Sequence, residues 1–494
     1  NPSFFIFYFS FPAVHSPAMN AENSKPVVVR MPPSPTGHLH LGTARAALFN
    51  WLFAHHHHGK IIFRWEDTDL DRSDAKFERE IFDGLAWLGM DFENECELFR
   101  QTENAALHRE KLGKLWDAGK VFPCFTTTEK LDELRKLAAE KKENFVFWSP
   151  DRDLEKREAE EKMKTEKFVW RLRTPRDRWI VFKDLVRKKI SVNTDTIGDF
   201  AVARSDGSVL YFLANAIDDA TQGVTHVLRG EDHVSNTPKQ ILLYEALGEN
   251  PPEFGHIPLV LDHAKRKLSK RNVDPGICVL VKDFQAAGFI PEGVVNGLVF
   301  LGWNPKSTEE IFSMDNLVEK FEIGNVNPGA AQYDFEKMLW FNAQWMRRVE
   351  VGKLQKYFEK FSGKKIELPA IELAREKAKT LVELDDELKY LIGDPGWSAE
   401  ILEHEKMGIT IESGKKMLKI ILELLEKISV ENWSAEKIRE ISVEKIAALG
   451  VKNGEFMWPF RVALSNRKGS AGPFEIAEVL GKTETMNRLA RAAK

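Results

Sequence analysis

Two short stretches of the sequence carry side chains that suit chemistry on phosphates. In the first, PSPTGHLHLGTARAALFNW at 33–51, two histidines, two glycines and the hydroxyl groups of Ser34 and Thr36 lie in or just after a Pro-Gly turn, ahead of an apolar helical run. The free N–H groups and positive dipole end of a helix N-terminus favour an anion, and glycines let the backbone approach it. A helix cap with two surface histidines is the alternative interpretation. The residues concerned are Ser34, Thr36, Gly37, His38, His40 and Gly42.

The second stretch is the basic segment KRKLSKR at 265–271, in which five of seven residues are lysine or arginine and one is serine. Ammonium groups on a short flexible segment can follow the negative charge that migrates along a polyphosphate during its cleavage. A solvated basic loop is the alternative, since that is the usual role of a charge run.

An acidic segment, WEDTDLD at 65–71, follows a strand-like run. Its carboxylates could bind a substrate ammonium, a magnesium ion or a ribose. Asp69 or Asp71 could instead cap the helix that follows, which is a common use of aspartate. The segment by itself leaves these uses open.

A candidate carboxylate site lies further along the chain, in YFLAN at 211–215 and LRGEDH at 228–233. Arg229 falls at the predicted end of a strand, from which a guanidinium can bind a carboxylate through two hydrogen bonds. Tyr211 and Asn215 share one face of their segment if that segment is helical.

The elements that must position these residues indicate an α/β fold. VVVR at 27–30 and KIIFRWEDTD at 60–69 have the apolar pattern of buried strands, whereas 42–54 and 76–90 have helical spacing. Alternating strands and helices predict a doubly wound parallel sheet, and such sheets bind ligands at the carboxyl ends of their strands.

The rest of the chain divides into a mixed middle and a helical end. Strand-like alternation marks 167–175, 178–193 and 205–215. Strand-then-helix order resumes over 223–248. Beyond about residue 345, helical patterns rich in Lys, Glu and Leu dominate and predict an all-helical region.

Composition and charge exclude broad classes of protein. Hydrophobic residues make up 43% and charged residues 30% of the chain, which is typical of a globular protein with packed cores. The net charge of −4 excludes a chain that is basic as a whole, so a nucleic-acid surface would need local clustering of charge. Three widely spaced cysteines, Cys96, Cys124 and Cys278, favour a reducing cytoplasm without disulfides. No segment is predicted to cross a membrane.

The first residues, NPSFFIFYFSFPAVHSPAM, are rich in aromatics and precede the first basic residue, Lys25. They lack the basic start of a secretory signal, and their apolar run is shorter than the ~20 residues of a membrane span. We expect residues 1–25 to be a disordered or spurious leader, with translation starting near Met19. A targeting role is the alternative.

Taken together and in this order, these segments resemble the bacterial-type glutamyl-tRNA synthetases, which are class I aminoacyl-tRNA synthetases. His40-Leu41-Gly42-Thr43 matches the family's variant of its His-Ile-Gly-His signature, and KLSKR at 267–271 is similar to its Lys-Met-Ser-Lys-Ser signature. The blocks WEDTDLDRS, GVTHVLRGEDHVSNTPKQILLYEALG, LGWNP and FEIAEVLGK are also similar to family blocks. The resemblance extends from about residue 27 to the end of the chain.

The resemblance implies a glutamate–tRNA ligase, which activates L-glutamate with ATP and transfers it to the 3′-terminal ribose of tRNA(Glu). It implies ATP with Mg²⁺, L-glutamate and tRNA(Glu) as substrates and partners, and we expect a cytoplasmic monomer with no membrane partner. The implied catalytic residues are His40, Lys267, Ser269 and Lys270. The implied ATP-binding residues are Thr36, His40, Gly42, Asp232 and Lys270. The implied glutamate-binding residues are Arg30, Ser34, Glu66, Tyr211, Asn215 and Arg229, with Glu66 on the ammonium and Arg229 on a carboxylate.

The sequence departs from the family at several positions. PCFTT at 123–127 keeps one cysteine of a Cys-x-Cys zinc motif and has Thr126 in place of the other, so we expect no structural zinc. The four histidines at 55–58 are interpreted as a helix-end loop rather than a metal site, and His38 as a surface residue. Asn272-Val273 stands where relatives commonly have His-Gly after the lysine loop.

The implied organisation is a Rossmann-like catalytic domain that is split by an insertion and followed by helical domains. The predicted parts are the leader (1–25), the first half of the catalytic domain (26–105), an acceptor-stem-binding insertion (106–210), the second half of the catalytic domain (211–280), a helical stem-contact linker domain (281–345) and an α-helical anticodon-binding domain (346–494).

Two functions of other classes are the alternatives. A catalytically silent RNA-binding relative would keep the fold, but the intact His40, Ser269 and Lys270 argue against it. A nucleotidyltransferase of the same fold that acts on a small phosphate ester would have no need of the helical final third.

Overall fold

The computed structural model describes residues 26–68, 72–92, 94, 98–269, 274 and 276–494. The predicted leader lies outside the described residues. So do the following residues that the sequence pattern singled out: Asp69, Asp71, Cys96, Lys270, Arg271, Asn272 and Val273.

The N-terminal half of the fold begins with alternating strands and helices, as predicted. These are β1 (Val28–Met31), α1 (Leu41–His56), β2 (Lys60–Trp65), α2 (Ala75–Trp87) and β3 (Phe99–Arg100). β1 pairs with β2, and β2 with β3, all in parallel. The largely apolar β2 is buried over most of its length and forms the middle of this group.

A mixed segment follows. It contains α3 (Ala105–Asp117), β4 (Val121–Cys124), α4 (Thr128–Glu140), α5 (Lys156–Met163), β5 (Val169–Leu172), β6 (Trp179–Asp184), β7 (Lys188–Asn193) and β8 (Ala201–Arg204). Strands β4, β5 and β8 form an antiparallel sheet, and β6 and β7 form an antiparallel hairpin.

The chain then returns to the parallel sheet through α6 (Tyr211–Thr221), β9 (His226–Gly230), α7 (Thr237–Leu247), β10 (Glu253–Ile257) and β11 (Val260–Leu261). β9 and β10 pair in parallel, and the Thr225 N–H donates to the Val28 carbonyl across 2.9 Å, which joins β9 to β1. β10 also pairs with β6, so the hairpin extends the sheet. The order in which successive strands are added to the sheet reverses between β1 and β9. Open α/β sheets bind ligands at such a point.

The segment 205–215 corrects one expectation, because its strand-like alternation ends in a helix. α6 begins at Tyr211, and its apolar residues Leu213, Ala214 and Ile217 are almost completely buried. Helical packing of these side chains against the sheet overrides the alternation. Tyr211 and Asn215 therefore lie one helical turn apart.

A small helical part packs against α1 and contains α8 (Val281–Ala286), α9 (Pro291–Val299), α10 (Met314–Lys320) and the short strand β12 (Ala331–Gln332). β12 pairs in parallel with β11. Just before α8, the chain crosses the turn at the start of α1: the Leu41 N–H donates to Val279 O at 2.8 Å and the Val281 N–H to Leu39 O at 3.0 Å.

The final third is helical and has its own hydrophobic core. It contains α11 (Phe335–Arg348), α12 (Val351–Ser362), α13 (Leu368–Arg375), α14 (Leu381–Ile392), α15 (Ile411–Leu425), α16 (Ala435–Leu449), α17 (Asn453–Ser465) and α18 (Pro473–Ala492). The predicted fold class, a parallel α/β sheet followed by an all-α region, is confirmed. The predicted domain boundaries stay predictions. None of the described helices combines the length and apolar character that a membrane span requires.

Candidate active site

The carboxyl ends of β1, β2 and β9 meet at one edge of the sheet. β1 leads into the turn at 32–40, β2 leads into Glu66, and β9 leads through Gly230 to Asp232. Because these strands are parallel neighbours, the segments that follow them share this edge. The candidate site is built from these segments, from α6 and from the loop after β11.

His40 is the N-cap residue of α1. Its Nδ1 accepts a hydrogen bond from the Gly42 N–H at 3.1 Å, so a neutral imidazole carries its proton on Nε2. Burial lowers the pKa of His40, and the nearby Lys267 ammonium lowers it further. His40 is therefore a neutral side chain at pH 7 that keeps an N–H to donate.

Packing does not require a glycine at Gly37 in the turn or at Gly42 in the first turn of α1. A Cβ on Gly37 would meet no described atom within 4 Å, and one on Gly42 would lie 3.5 Å from His40 Nδ1, an ordinary contact. Ser34 is exposed and Thr36 is half-buried in the same turn. The turn thus offers small residues and hydroxyl groups beside the N-terminus of α1, an arrangement suited to a phosphate.

Lys267 reaches this edge from the loop after β11. Its Nζ donates to Asp232 Oδ2 at 2.9 Å. The loop is anchored on one side by the Leu268 N–H, which donates to Val260 O at 2.8 Å. Ser269 is half-buried next in the chain, and Lys270 lies outside the described residues.

Asp232 is the carboxylate nearest to this ammonium. Burial works to raise the pKa of Asp232, but the hydrogen bond from Lys267 and the charges of His233 and Lys267 outweigh it and hold the pKa below its usual value. Asp232 is therefore ionised at neutral pH and keeps the Lys267 ammonium beside His40.

A buried charge cluster lies on the other side of the site. Arg64 is fully buried, and it donates to Asp219 Oδ1 at 2.7 Å and to Glu66 Oε1 at 3.2 Å. Arg30 Nε lies 3.4 Å from Asp219 Oδ1. Asn215 Oδ1 accepts from Arg64 Nη2 at 3.0 Å. The ion pairs compensate one another, as buried charges require.

Arg229 differs from the other two arginines because its direct partners are neutral. Its Nε donates to His256 Nε2 at 3.2 Å and its Nη2 to Thr237 Oγ1 at 2.8 Å. Its buried Nη1 has no hydrogen-bond partner among the described residues. Burial lowers the pKa of Arg229 to about 10, so the group stays charged at neutral pH. A buried charged donor without a partner is costly unless an anion binds it.

Tyr211 lies at the start of α6 with its ring partly exposed. Burial and the neighbouring Glu66 carboxylate raise its pKa to about 12, so the phenol is neutral and can donate. Burial also raises the pKa of Glu66, although Arg64 and Arg30 oppose the shift. Glu66 is thus a carboxyl group that gains ionic stabilisation from a ligand cation.

The ion pairs of the cluster suit a ligand with a carboxylate and an ammonium. Arg30 and Arg64 pair with Asp219, and Arg64 also with Glu66, whereas the described hydrogen-bond partners of Arg229 are neutral. Arg229 can therefore bind a ligand carboxylate, and Glu66 a ligand ammonium. The structure brings these residues to the same edge of the sheet as His40 and Lys267.

The acidic segment after β2 serves more than one purpose. Asp67 accepts hydrogen bonds from the Thr102 N–H at 3.0 Å and hydroxyl at 2.8 Å, so it is structural. The alternative that Asp69 or Asp71 caps the next helix concerns two residues outside the described part of the chain; the N-cap of α2 is Asp74, which accepts from the Lys76 N–H at 2.8 Å. Asp74 directly precedes the helix, where a side-chain oxygen can reach the free N–H groups.

The histidines outside the site have structural neighbours. His38 lies partly exposed at the surface, with Nδ1 2.8 Å from Glu80 Oε1. His55 stacks on Trp51 at the end of α1. The described residues contain no group of three or more His, Cys, Asp or Glu side chains placed to hold a metal ion. Cys124 accepts instead from the Ser149 hydroxyl at 3.2 Å.

Sequence reasoning missed part of the cluster. Arg64 stands within the apolar run of β2, and Asp219 stands in a helix most of whose residues are apolar and buried. A charged residue in a buried run is the signal that could have identified both. His256 and Asp184 were missed as well, and no local pattern distinguishes them.

Two family models match the chain. The model described as the catalytic domain of class I tRNA synthetases (E and Q) matches residues 26–340, and an anticodon-binding-domain model matches residues 335–493.

Curated relatives are similar over almost the whole chain. Glutamate–tRNA ligase 1 of Caldanaerobacter subterraneus is 38% identical, with 95% of this chain and 98% of that protein covered. The glutamate–tRNA ligase of Aquifex aeolicus is 36% identical, with 94% and 98% covered. Among solved structures, a glutamate tRNA ligase from Elizabethkingia meningosepticum, in complex with its amino acid, is similar with a TM-score of 0.82 and 29% identity, covering 95% of this chain and 99% of that one.

Proposed function

Because the chain belongs to the class I tRNA synthetases for glutamate and glutamine, we propose that it is a glutamate–tRNA ligase. It activates L-glutamate with ATP, forming glutamyl-adenylate and pyrophosphate, and transfers the glutamyl group to the 3′-terminal ribose of tRNA(Glu). The observation that carries the choice of amino acid is the buried Arg229, whose Nη1 has no partner among the described residues.

Activation requires that negative charge be stabilised on the phosphates. A glutamate carboxylate oxygen attacks the α-phosphorus of ATP, and the bond from that phosphorus to the bridging oxygen of pyrophosphate breaks. In our proposal His40 donates its Nε2–H to a phosphate oxygen, and Lys267 and Lys270 neutralise the departing pyrophosphate. The neutral state of His40 supports this role, since its low pKa keeps Nδ1 as the cap acceptor and Nε2–H as the donor. Ser269 belongs to the same loop, and Thr36 and Gly42 line the phosphate side.

The phosphate side of the site, near His40 and the lysine loop, suits a magnesium ion that binds together with a nucleotide. Mg²⁺ usually takes one or two protein carboxylates together with substrate phosphates and water, and Asp232 is an ionised carboxylate beside the lysine loop. Bound with ATP, the ion would neutralise phosphate charge.

Glutamate binding in our proposal uses both the arginines and the carboxyl group of Glu66 in the buried charge cluster. Arg229 and Arg30 take the side-chain carboxylate, Glu66 takes the ammonium, and Tyr211, Asn215 and Ser34 complete the pocket. Glutamine has the same shape but an uncharged amide, so it would leave the Arg229 guanidinium without a counter-charge. Leaving a buried charge unpaired costs several kcal/mol, which is enough for the site to discriminate strongly against glutamine.

The transfer step needs a tRNA that spans the molecule. The match of residues 335–493 to an anticodon-binding domain supports a tRNA partner. We further propose the segment 106–210 as the acceptor-stem-binding insertion. A monomeric state, a cytoplasmic location and the lack of structural zinc stay predictions.

Charging assays test the proposal directly. The protein is incubated with ATP, Mg²⁺ and radiolabelled glutamate, once with purified tRNA(Glu) and once with tRNA(Gln), and ATP–pyrophosphate exchange is measured in parallel. We expect glutamate-dependent exchange and charging of tRNA(Glu). Binding of tRNA without exchange would instead identify a catalytically silent relative, and exchange with glutamine but not glutamate would refute the amino-acid assignment.

A further inference from the structure

Behind Arg229 lies a buried chain of hydrogen bonds that the proposed reaction does not use. Asp184 Oδ2 lies 2.5 Å from His256 Nδ1, and His256 Nε2 accepts from Arg229 Nε at 3.2 Å. Asp184 and His256 have fully buried side chains. The chain runs from the end of β6 through β10 to the end of β9, so it crosses three neighbouring strands of the sheet.

The direction of each bond in this chain is determined by its partners. Asp184 Oδ1 already accepts from the backbone N–H groups of Val186 at 2.9 Å and Arg187 at 2.7 Å. Oδ2 therefore remains to accept from His256 Nδ1–H. With its proton on Nδ1, a neutral imidazole presents a lone pair at Nε2, which accepts from Arg229 Nε at 3.2 Å. The Thr237 hydroxyl, which itself accepts from Arg229 Nη2, lies 3.0 Å from the same nitrogen and can donate to it. Burial lowers the pKa of His256 although its bond to Asp184 raises it, which supports the neutral form.

The chain orients Arg229 without neutralising it. His256 and Thr237 hold the Nε and Nη2 edge of the guanidinium, and the opposite Nη1 is left without a described partner. A carboxylate in direct contact would compensate the charge, as Asp219 does for Arg64. The imidazole instead separates Asp184 from Arg229, so the positive charge of the guanidinium has no carboxylate in direct contact along this chain and is available to a ligand anion.

We propose that Asp184 and His256 are positioning residues of the amino-acid site: they hold Arg229 by one edge through a neutral imidazole and thereby set the preference for a substrate carboxylate over an amide. The inference rests on the proposed function, in which Arg229 binds the glutamate side chain. It adds two residues to the specificity apparatus that contact no substrate.

The sharpest variant is Asp184→Asn. It keeps the size of the side chain and the Oδ1 atom that accepts from the backbone N–H groups of Val186 and Arg187. Because Oδ1 must still accept from Val186 and Arg187, the new amide NH₂ faces His256 Nδ1. The imidazole then carries its proton on Nε2 instead of Nδ1, so Nε2 can no longer accept from Arg229 or from Thr237. We expect the KM for glutamate to rise roughly 10-fold and the glutamate-to-glutamine ratio of kcat/KM to fall by a similar factor, with the KM for ATP unchanged.

Two variants at His256 test the same link by rescue. His256→Leu removes the acceptor for Arg229 and should raise the glutamate KM roughly 10- to 100-fold. His256→Gln offers an amide oxygen in its place and should recover part of that loss. A role in packing alone would not order the two variants by their acceptor, since both fill the space.

A matched control exists in a second buried histidine–aspartate pair. His108 Nε2 lies 2.8 Å from Asp218 Oδ1, both side chains are buried, and the pair makes no hydrogen bond to Arg229. His108→Gln should change the midpoint of thermal unfolding about as much as His256→Gln, but leave the glutamate KM near that of the wild type.

The outcomes separate this inference from the proposed function. If the wild type charges tRNA(Glu) and Arg229→Ala raises the glutamate KM, while Asp184→Asn and His256→Leu do not, the positioning role is wrong and the ligase assignment stands. An equal effect of the His108 control on glutamate KM also overturns the positioning role. If the wild type does not activate glutamate, the proposed function itself fails.

Discussion

The backbone N–H of Leu41 donates to the carbonyl oxygen of Val279 across 2.8 Å, although more than two hundred residues separate the two positions. This bond joins the start of α1, which His40 caps, to the chain that leaves the lysine loop. The Lys267–Asp232 ion pair closes the same region from the other side of the loop. The two signature-like segments therefore converge on one edge of the sheet, and their convergence can be tested residue by residue.

The cap function of His40 can be separated from its proposed catalytic function. Asparagine is a good N-cap residue but has no group in the place of the imidazole Nε2–H, so His40→Asn should change the free energy of unfolding by less than about 0.5 kcal/mol. Glutamate-dependent ATP–pyrophosphate exchange should nevertheless fall roughly 100-fold. His40→Ala loses the cap as well and should be destabilised by about 1 kcal/mol. Near-normal exchange in the asparagine variant would contradict the assignment.

The activity should depend on where each positive charge of the lysine loop lies, and not only on the total charge of the loop. Lys267→Ala removes the ammonium that pairs with Asp232 beside His40, and we expect exchange to slow by about 100-fold while tRNA affinity changes little. Lys265→Ala, an exposed lysine in the same loop, removes the same charge two residues away and serves as the control. Equal losses in both variants would mean that the loop acts only through its overall charge.

Arg229 should control glutamate affinity. Arg229→Ala is expected to raise the KM for glutamate roughly 100-fold and to leave the KM for ATP unchanged, since a buried charge-assisted hydrogen bond is lost. Arg45 is a suitable control because it is also a buried arginine whose pKa burial lowers to about 10, but it donates to the backbone carbonyls of Leu301 and Pro258. Arg45→Ala should lower stability without a selective change in glutamate KM. An unchanged KM in the Arg229 variant would refute the pocket assignment.

The buried cluster should make stability depend on pH through Asp219. Burial works to raise the pKa of Asp219, but Arg64 and Arg30 outweigh it and hold the pKa below the ordinary value of about 3.9. A carboxyl with a lowered pKa stabilises the fold above its unfolded-state pKa and loses this contribution as the pH falls through its folded-state pKa. Asp219→Asn should therefore cost about 3 kcal/mol at pH 7, since it leaves two buried arginines short of a partner.

The difference between wild type and Asp219→Asn should stay constant from pH 7 to about pH 5 and shrink below about pH 4, because this carboxyl is then protonated in the unfolded chain while the folded chain holds it ionised down to a lower pH. Urea unfolding followed by tryptophan fluorescence measures this difference at each pH. A difference that does not depend on pH would show that Asp219 contributes through packing rather than through its charge.

Local patterns predicted the elements near the site well. The apolar runs at 27–30 and 60–69 overlap β1 (Val28–Met31) and β2 (Lys60–Trp65), and the following helical runs overlap α1 and α2, because buried strands and amphipathic helices impose short-range periodicity on the chain. The segment 205–215 was misjudged for the same reason. Its alternation suits a strand, but packing against the sheet, which is not local, selects a helix from Tyr211 onward.

Some residues of the site could likewise be predicted from the sequence, whereas others could not. Residues in recognisable motifs, such as His40 and Arg229, could be identified in the sequence because each motif is contiguous. Arg64 and Asp219 could not be paired, since 155 positions separate them and nothing local indicates which buried charge meets which. The Asp184–His256 bond spans 72 positions and has no motif at all.

The amino-acid sequence alone determined the family resemblance, the alternation of strands and helices, and the residue types available for phosphate and carboxylate binding, because these depend on neighbours along the chain. The tertiary structure decided which charges compensate one another and which guanidinium is left with a free edge. That outcome depends on how distant elements pack together, since α6 packs so that Asp219 meets Arg64, whereas β10 and the start of α7 bring neutral hydrogen-bond partners to Arg229.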